Sequence, residues 1–222
     1  MSIAILGGTF DPIHLGHIYI AQYVLEKYRC EKFLFIPNQI PPHSKKPISS
    51  EHRVQMMKLA LSNYPKFEID FTEINNQGKS YTIDTVKSLR KKHPLKSLIF
   101  IMGDDAFATF NQWKDWDQII QYVHLAIVKR TYPDLNNELK AYLEAHQPKS
   151  KDYLGDTTHG HVYTINNPIN RCASTIIRQT LQNHQHLSST CSQDLLNLQL
   201  PDQVAYYLSE HRLYSQQNHQ NP

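Results

Sequence analysis

The chain has 222 residues and a formal net charge of +3 at neutral pH, with no excess of either sign large enough to indicate a nucleic-acid partner. A chain of this length can bury a core without covalent staples. The three cysteines (Cys30, Cys172 and Cys191) are far apart and lack metal-ligand or disulfide-framework spacing. A reducing cytoplasm is therefore the expected location. No apolar run approaches a membrane span, and no basic leader precedes the first apolar run.

Strand and helix patterns alternate along the chain. Ile3-Ala-Ile-Leu6 is a short apolar run that reads as a buried parallel strand ended by Gly7-Gly8. Gly16 to Tyr28 carries Ile18, Ala21, Val24 and Leu25 at helical spacing. Lys32–Ile36 is a second buried strand, and a proline-rich loop follows from Pro37 to Pro47. Glu51–Leu61 reads as a helix with Val54, Met57, Leu59 and Leu61 apolar, and Phe67–Asp70 as a strand. Ile83–Lys92 is helical, and Ser97–Met102 is a strand closed by Gly103.

Short helices are expected around Asp104–Phe110 and Asp115–Tyr122, then a strand at His124–Val128. Residues 132–146 suggest an exposed amphipathic helix, and His161–Ile165 a last strand. Helices at Ser174–Gln182 and Asp202–His211 complete the pattern. Strands alternating with crossover helices predict a right-handedly wound parallel sheet. One domain is expected over 1–214, its C-terminal helical part about 174–214, with a polar, frayed tail at 215–222.

The first loop carries the strongest chemical signal. Ligands of open α/β sheets bind at the carboxyl ends of strands, and helix N-termini attract phosphate there. His14 and His17, three apart at the start of a helix, put both imidazoles on one side. Such donors can neutralise charge developing on a transferred phosphoryl group. Late in the chain, Ser174 and Thr175 offer a helix cap and phosphate hydrogen bonds, and Arg178 a planar fork for polyphosphate oxygens.

The string Gly7-Gly-Thr-Phe-Asp-Pro-Ile-His-Leu-Gly-His17 resembles the HxGH signature of the nucleotidyltransferase superfamily related to class I tRNA synthetases. Ala173-Ser-Thr-Ile-Ile-Arg178 resembles that superfamily's second signature, Ser-Ser-Thr-x-x-Arg, with alanine at its first position. Pro37–His43, Ser80-Tyr81-Thr82 followed by Asp84-Thr85-Val86, Ile101-Met-Gly-Asp-Asp105 and Trp113 narrow the resemblance to bacterial nicotinate-nucleotide adenylyltransferases, over nearly all of residues 1–214.

That resemblance implies an α/β, Rossmann-like doubly wound parallel sheet with flanking helices and a small C-terminal helical extension. The implied reaction transfers AMP from ATP to nicotinic acid mononucleotide, releasing pyrophosphate. His14, His17 and Arg178 would be catalytic. Gly7, Gly8, Thr9, Phe10, Gly16, Gly103, Asp105, Ser174 and Thr175 would bind ATP. His43, Lys45, Tyr81, Thr82, Trp113 and Lys114 would bind the mononucleotide, the ring carboxylate through backbone amides near Thr82 and Lys114.

Mg²⁺ is expected mainly on the ATP phosphates, with no protein ligand assigned. No nucleic-acid or membrane partner is expected, and the chain would be a monomer or a homo-oligomer. Two departures stand out: Ser44 replaces the Lys or Arg usual after the loop histidine, and Lys114 the usual tyrosine. An ammonium at 114 would favour a carboxylate over an amide. Without the resemblance, Trp113 reads as a packed core aromatic.

Overall fold

The computed structural model describes residues 1–39, 47–76, 79–130, 133–148, 157–166, 173–183 and 199–214. Six strands form one sheet: β1 (Ser2–Gly8), β2 (Lys32–Pro37), β3 (Phe67–Ile69), β4 (Ser97–Gly103), β5 (His124–Lys129) and β6 (Val162–Asn166). Every pairing is parallel and the order is β3-β2-β1-β4-β5-β6. This is the doubly wound arrangement expected from the alternating pattern, and its winding reverses between β1 and β4.

The two-residue period of each strand divides the core. Ala4, Leu6, Phe33, Phe35, Ile99 and Ile101 face one side, packed with helices α1 (Leu15–Lys27) and α2 (Ser50–Leu61). Ile3, Ile5, Leu34, Ile36, Phe100 and Met102 face the other, packed with α3 (Thr82–Lys92), α4 (Asp104–Phe107), α5 (Trp116–Ile119) and α6 (Asn137–Ala145). Helices α7 (Ser174–Asn183) and α8 (Asp202–Glu210) join the first layer through Ile177, Leu181, Val204 and Leu208. The C-terminal helices therefore share the main core. Among the described residues, no helix is long and apolar enough to cross a membrane.

Local differences from the sequence expectation have physical causes. β1 does not stop at the glycines, because Gly7 and Gly8 continue the ladder opposite Ile36 and Pro37. Helix α2 buries Arg53, Met56, Met57, Ala60 and Leu61, so Val54 and Leu59 lie at the margin of its inner face. Helix α6 starts at Asn137, where the Asn136 side chain accepts from Leu139 N–H at 2.9 Å and caps it. Nor is α6 simply exposed, since Leu139 and Tyr142 are buried. Cys30 is buried, whereas Cys172 and Cys191 lie outside the described residues.

His124 is fully buried at the start of β5. Its Nδ1 accepts from His161 N–H at 3.2 Å, which leaves the hydrogen on Nε2, 3.1 Å from the Thr157 carbonyl. Burial holds the ring's pKa at about 4, below the ordinary 6.5. The unfolded chain thus binds the proton first as pH falls. This contribution to stability is complete above pH 6.5 and is lost between pH 6.5 and 4, up to an order of 3 kcal/mol. A His124→Leu chain should show a shallower loss of urea stability over that interval than the parent. Equal losses would refute the assignment.

Candidate active site

The site is built at the carboxyl edge of the sheet, where β1 lies between β2 and β4. Phe10 takes a left-handed backbone conformation, with φ of 49°. Its ring packs over Gly8, where a Cβ would stand 3.3 Å from it, and meets the His17 ring edge-on at 5.1 Å. A side chain at Gly8 would therefore crowd the ring that supports His17. Ile13, fully buried, anchors the loop in the core.

His14 precedes α1 in extended conformation, and its N–H donates to His17 Nδ1 at 3.2 Å. The two imidazoles stack at 3.7 Å with 23° between their planes. Because His17 Nδ1 accepts, the neutral ring carries its hydrogen on Nε2 and can donate to an anion. His14 is buried, and its Nδ1 has no hydrogen-bond partner among the described residues. Burial, with Arg130 adding repulsion, holds His14 at about pKa 3. Burial, then His14 and Arg130, keep His17 well below its usual range. Both rings are therefore neutral near pH 7 before any anion arrives.

Two arginines bind this loop from opposite directions in the sequence. Arg53, 1% exposed, donates Nη1 to the carbonyls of Thr9 (2.7 Å) and Asn38 (2.8 Å), Nη2 to Gln39 (3.1 Å) and Nε to Ile48 (3.2 Å). It fixes the ends of β1 and β2 to α2. Arg178 donates Nη1 to the Asp11 carbonyl at 2.6 Å and Nη2 to Thr175 Oγ1 at 3.2 Å. Ser174 Oγ donates to the Pro12 carbonyl at 3.0 Å. Ser174 is thus the first residue of α7 and not its cap, and its hydroxyl hydrogen is used within the loop. Gly16 lies in the first turn of α1.

At the end of β4, the Asp105 carboxylate folds back over Gly103 so closely that any Cβ there would overlap it. Asp104 is buried and accepts from the N–H groups of Asp105 (3.0 Å) and Arg130 (2.8 Å). It thereby pins the end of β5 to the start of α4. Arg130 brings a cation close enough to influence both histidines. Sequence reasoning passed over Arg53 and Arg130. A charged residue just past the end of a central parallel strand was the available signal for Arg130, whereas an arginine inside a helical pattern signalled nothing for Arg53.

A second cluster gathers three of the resembling stretches. Tyr81 caps α3, and its carbonyl accepts from Asp84 and Thr85 N–H. The first-turn N–H groups of such a helix, beginning at Thr82, suit a carboxylate. Lys114 Nζ lies 4.6 Å from the Tyr81 ring centroid and 3.6 Å from Asp84 Oδ2. The ammonium at 114 is therefore shared with Asp84, which reduces what it offers an incoming carboxylate. Trp113 is half-buried, its ring edge-on to Phe110 at 5.4 Å, so it is partly a core aromatic as well. Thr85 Oγ1 donates to Glu73 at 2.6 Å, and burial raises the Glu73 pKa. Sequence reasoning also missed Glu73, which ties the preceding loop to α3. His43 and Lys45 lie outside the described residues.

Paired imidazoles and flanking guanidiniums at a sheet switch point have the chemistry to take a phosphate-bearing nucleotide. A family described as Cytidylyltransferase-like matches residues 5–180, which gives the class. A relative from Shewanella frigidimarina is 36% identical over 220 residues, covering 96% of this chain and 100% of its own. Another from Symbiobacterium thermophilum is 36% identical over 214 residues, covering 96% and 94%. Both carry the name "Probable nicotinate-nucleotide adenylyltransferase". The fold is shared with Plasmodium falciparum nicotinic acid mononucleotide adenylyltransferase complexed with NaAD, at a TM-score of 0.71 and 16% identity over 96% of this chain and 97% of that one. The chain belongs to the nicotinate-nucleotide adenylyltransferase family.

Proposed function

We propose that this chain transfers AMP from ATP to nicotinic acid mononucleotide, forming nicotinic acid adenine dinucleotide and pyrophosphate in NAD biosynthesis, in the cytoplasm. The stacked His14–His17 pair at the carboxyl end of β1 carries the reaction class. The near-full-length relatives carry the substrate.

The mononucleotide phosphate is already an anion, so its oxygen attacks the α-phosphorus of ATP without a general base. The bond from α-phosphorus to the bridging oxygen breaks, and pyrophosphate leaves. What the protein supplies is alignment of two repelling anions and neutralisation of the charge that builds up. His14 serves the α-phosphate, and His17, Ser174 and Arg178 the departing phosphates. Gly7 to Phe10, Gly16, Gly103, Asp105 and Thr175 border ATP, and Arg130 adds positive field.

Among the described residues, no group of three or more His, Cys, Asp or Glu could hold a metal ion. The donors around the loop are imidazoles and guanidiniums, which suit a polyanion. Magnesium would arrive on ATP and add charge neutralisation at its phosphates.

The Tyr81–Thr82 turn and Trp113–Lys114 would take the nicotinate ring, and His43 and Lys45 of the 37–47 loop would face the mononucleotide phosphate. Trp113→Ala should raise KM for the mononucleotide with little change for ATP, because a stacking face is lost from one substrate only. An effect confined to ATP would put Trp113 on the wrong side of the site. The whole assignment is tested by coupled pyrophosphate release with ATP and, in turn, the acid mononucleotide, its amide and phosphopantetheine. Fastest turnover on the acid is expected, and turnover confined to phosphopantetheine would refute the proposal.

A further inference from the structure

Helix α8 and the residues flanking it pack against the nucleotide loop. Leu15 N–H donates to the Gln199 carbonyl at 2.9 Å, and Leu200, Leu208, Leu213 and Tyr214 are buried in the same core layer as Phe10 and Ile13. Tyr214 is 8% exposed, and its hydroxyl donates to Asp11 Oδ1 at 2.6 Å. Asp11 is itself 7% exposed. Its other oxygen, Oδ2, lies 3.8 Å from Arg178 Nη1, a loose contact, while Arg178 rests on the Asp11 carbonyl. Tyr214, 203 residues away in the chain, thus occupies one oxygen of the carboxylate whose other oxygen lies beside Arg178.

We propose that Tyr214 is a positioning residue for ATP: by bonding Asp11, it keeps that carboxylate from closing on Arg178 and leaves the guanidinium available to the polyphosphate. A short O–H···O⁻ bond is among the stronger hydrogen bonds, and it disperses the carboxylate charge toward the phenol. Burial and the nearby Asp11 push the Tyr214 hydroxyl pKa up, so its proton stays on the phenol. Without that hydroxyl, Oδ1 loses this donor. The carboxylate then turns toward Arg178, whose charge is spent within the protein. Phosphate binding must afterwards break a direct ion pair.

The inference rests on the adenylyltransferase reading, and the experiment separates the two. Tyr214→Phe keeps the ring and its packing while removing only the donor. It should raise KM for ATP about tenfold or more, the scale of a lost hydrogen bond to a charged group. KM for the mononucleotide should change by less than about twofold, because the Tyr81–Trp113 cluster is untouched. In an Asp11→Asn background the same substitution should cost ATP binding little further, since no carboxylate remains to capture Arg178. An inactive parent chain would refute the functional reading. With an active parent, three results each overturn the proposal: an unchanged KM for ATP, equal loss of both substrates, or unfolding of Tyr214→Phe at assay temperature. A full additional loss in the Asp11→Asn background would do the same.

Discussion

Replacing His17 by alanine should lower kcat by about 10²–10³ while leaving the fold intact, the usual consequence of removing one donor to a developing oxyanion. Three observations lead to this. His17 Nδ1 is engaged by His14 N–H, which commits the Nε2 hydrogen to donation. The ring is held between the His14 stack and the Phe10 edge, so little rotation is lost when a phosphate binds. Burial and the neighbouring His14 and Arg130 keep it neutral in the free enzyme. A leaving pyrophosphate brings negative charge that offsets this field, so the donor is strengthened as the bond to α-phosphorus breaks. An interaction of that kind lowers kcat more than it raises KM. His17→Gln retains an N–H donor and should recover part of the rate. Near-normal turnover in His17→Ala, with folding checked by circular dichroism, would remove His17 from the mechanism.

Arg53→Leu should be the most destabilising single change in the loop's support, at about 3–5 kcal/mol, since it strips one fork from four carbonyls in a buried setting. The four acceptors, Thr9, Asn38, Gln39 and Ile48, come from three separate backbone stretches. Leucine is shorter than arginine, so it leaves part of the space unfilled and has no N–H to offer. Arg53 itself sits among carbonyl dipoles, and burial lowers its pKa accordingly. The melting temperature should fall by roughly 6–20 °C, given the scale for a chain of this size. Arg53→Lys supplies one ammonium where a planar fork is needed, so it should recover only part of the loss. A change below about 1 kcal/mol in urea unfolding would mean that water satisfies those carbonyls instead.

The two histidines were legible because both they and their spacing are local. A three-residue separation at a helix start places two rings on one side in any fold. Arg178 and the Tyr81–Thr82 turn were legible only through their resemblance to motifs, because an arginine in a helix and a polar turn have ordinary explanations. Arg53 presents the same ambiguity without the motif. Its helical pattern marks it as a polar position on a mixed face, yet α2 buries it. Ser174 shows how far local reasoning reaches. It does stand at the start of α7, but the residue it serves is Pro12, far away in the chain.

Alternation of buried apolar runs with amphipathic segments was enough to determine a parallel α/β sheet, because side-chain period is a property of neighbours in the chain. The glycine pair and the His14–His17 spacing also marked the end of the first strand as the expected place for phosphate. Tertiary structure alone decided how that loop is held. Arg53 reaches Thr9 across 44 residues and Tyr214 reaches Asp11 across 203. Asp104 and Arg130, 26 residues apart, join β4 to β5 beside the site. Partners so distant leave no periodicity and share no local spacing rule. They are chosen by which buried carbonyls and carboxylates need donors once the chain has packed.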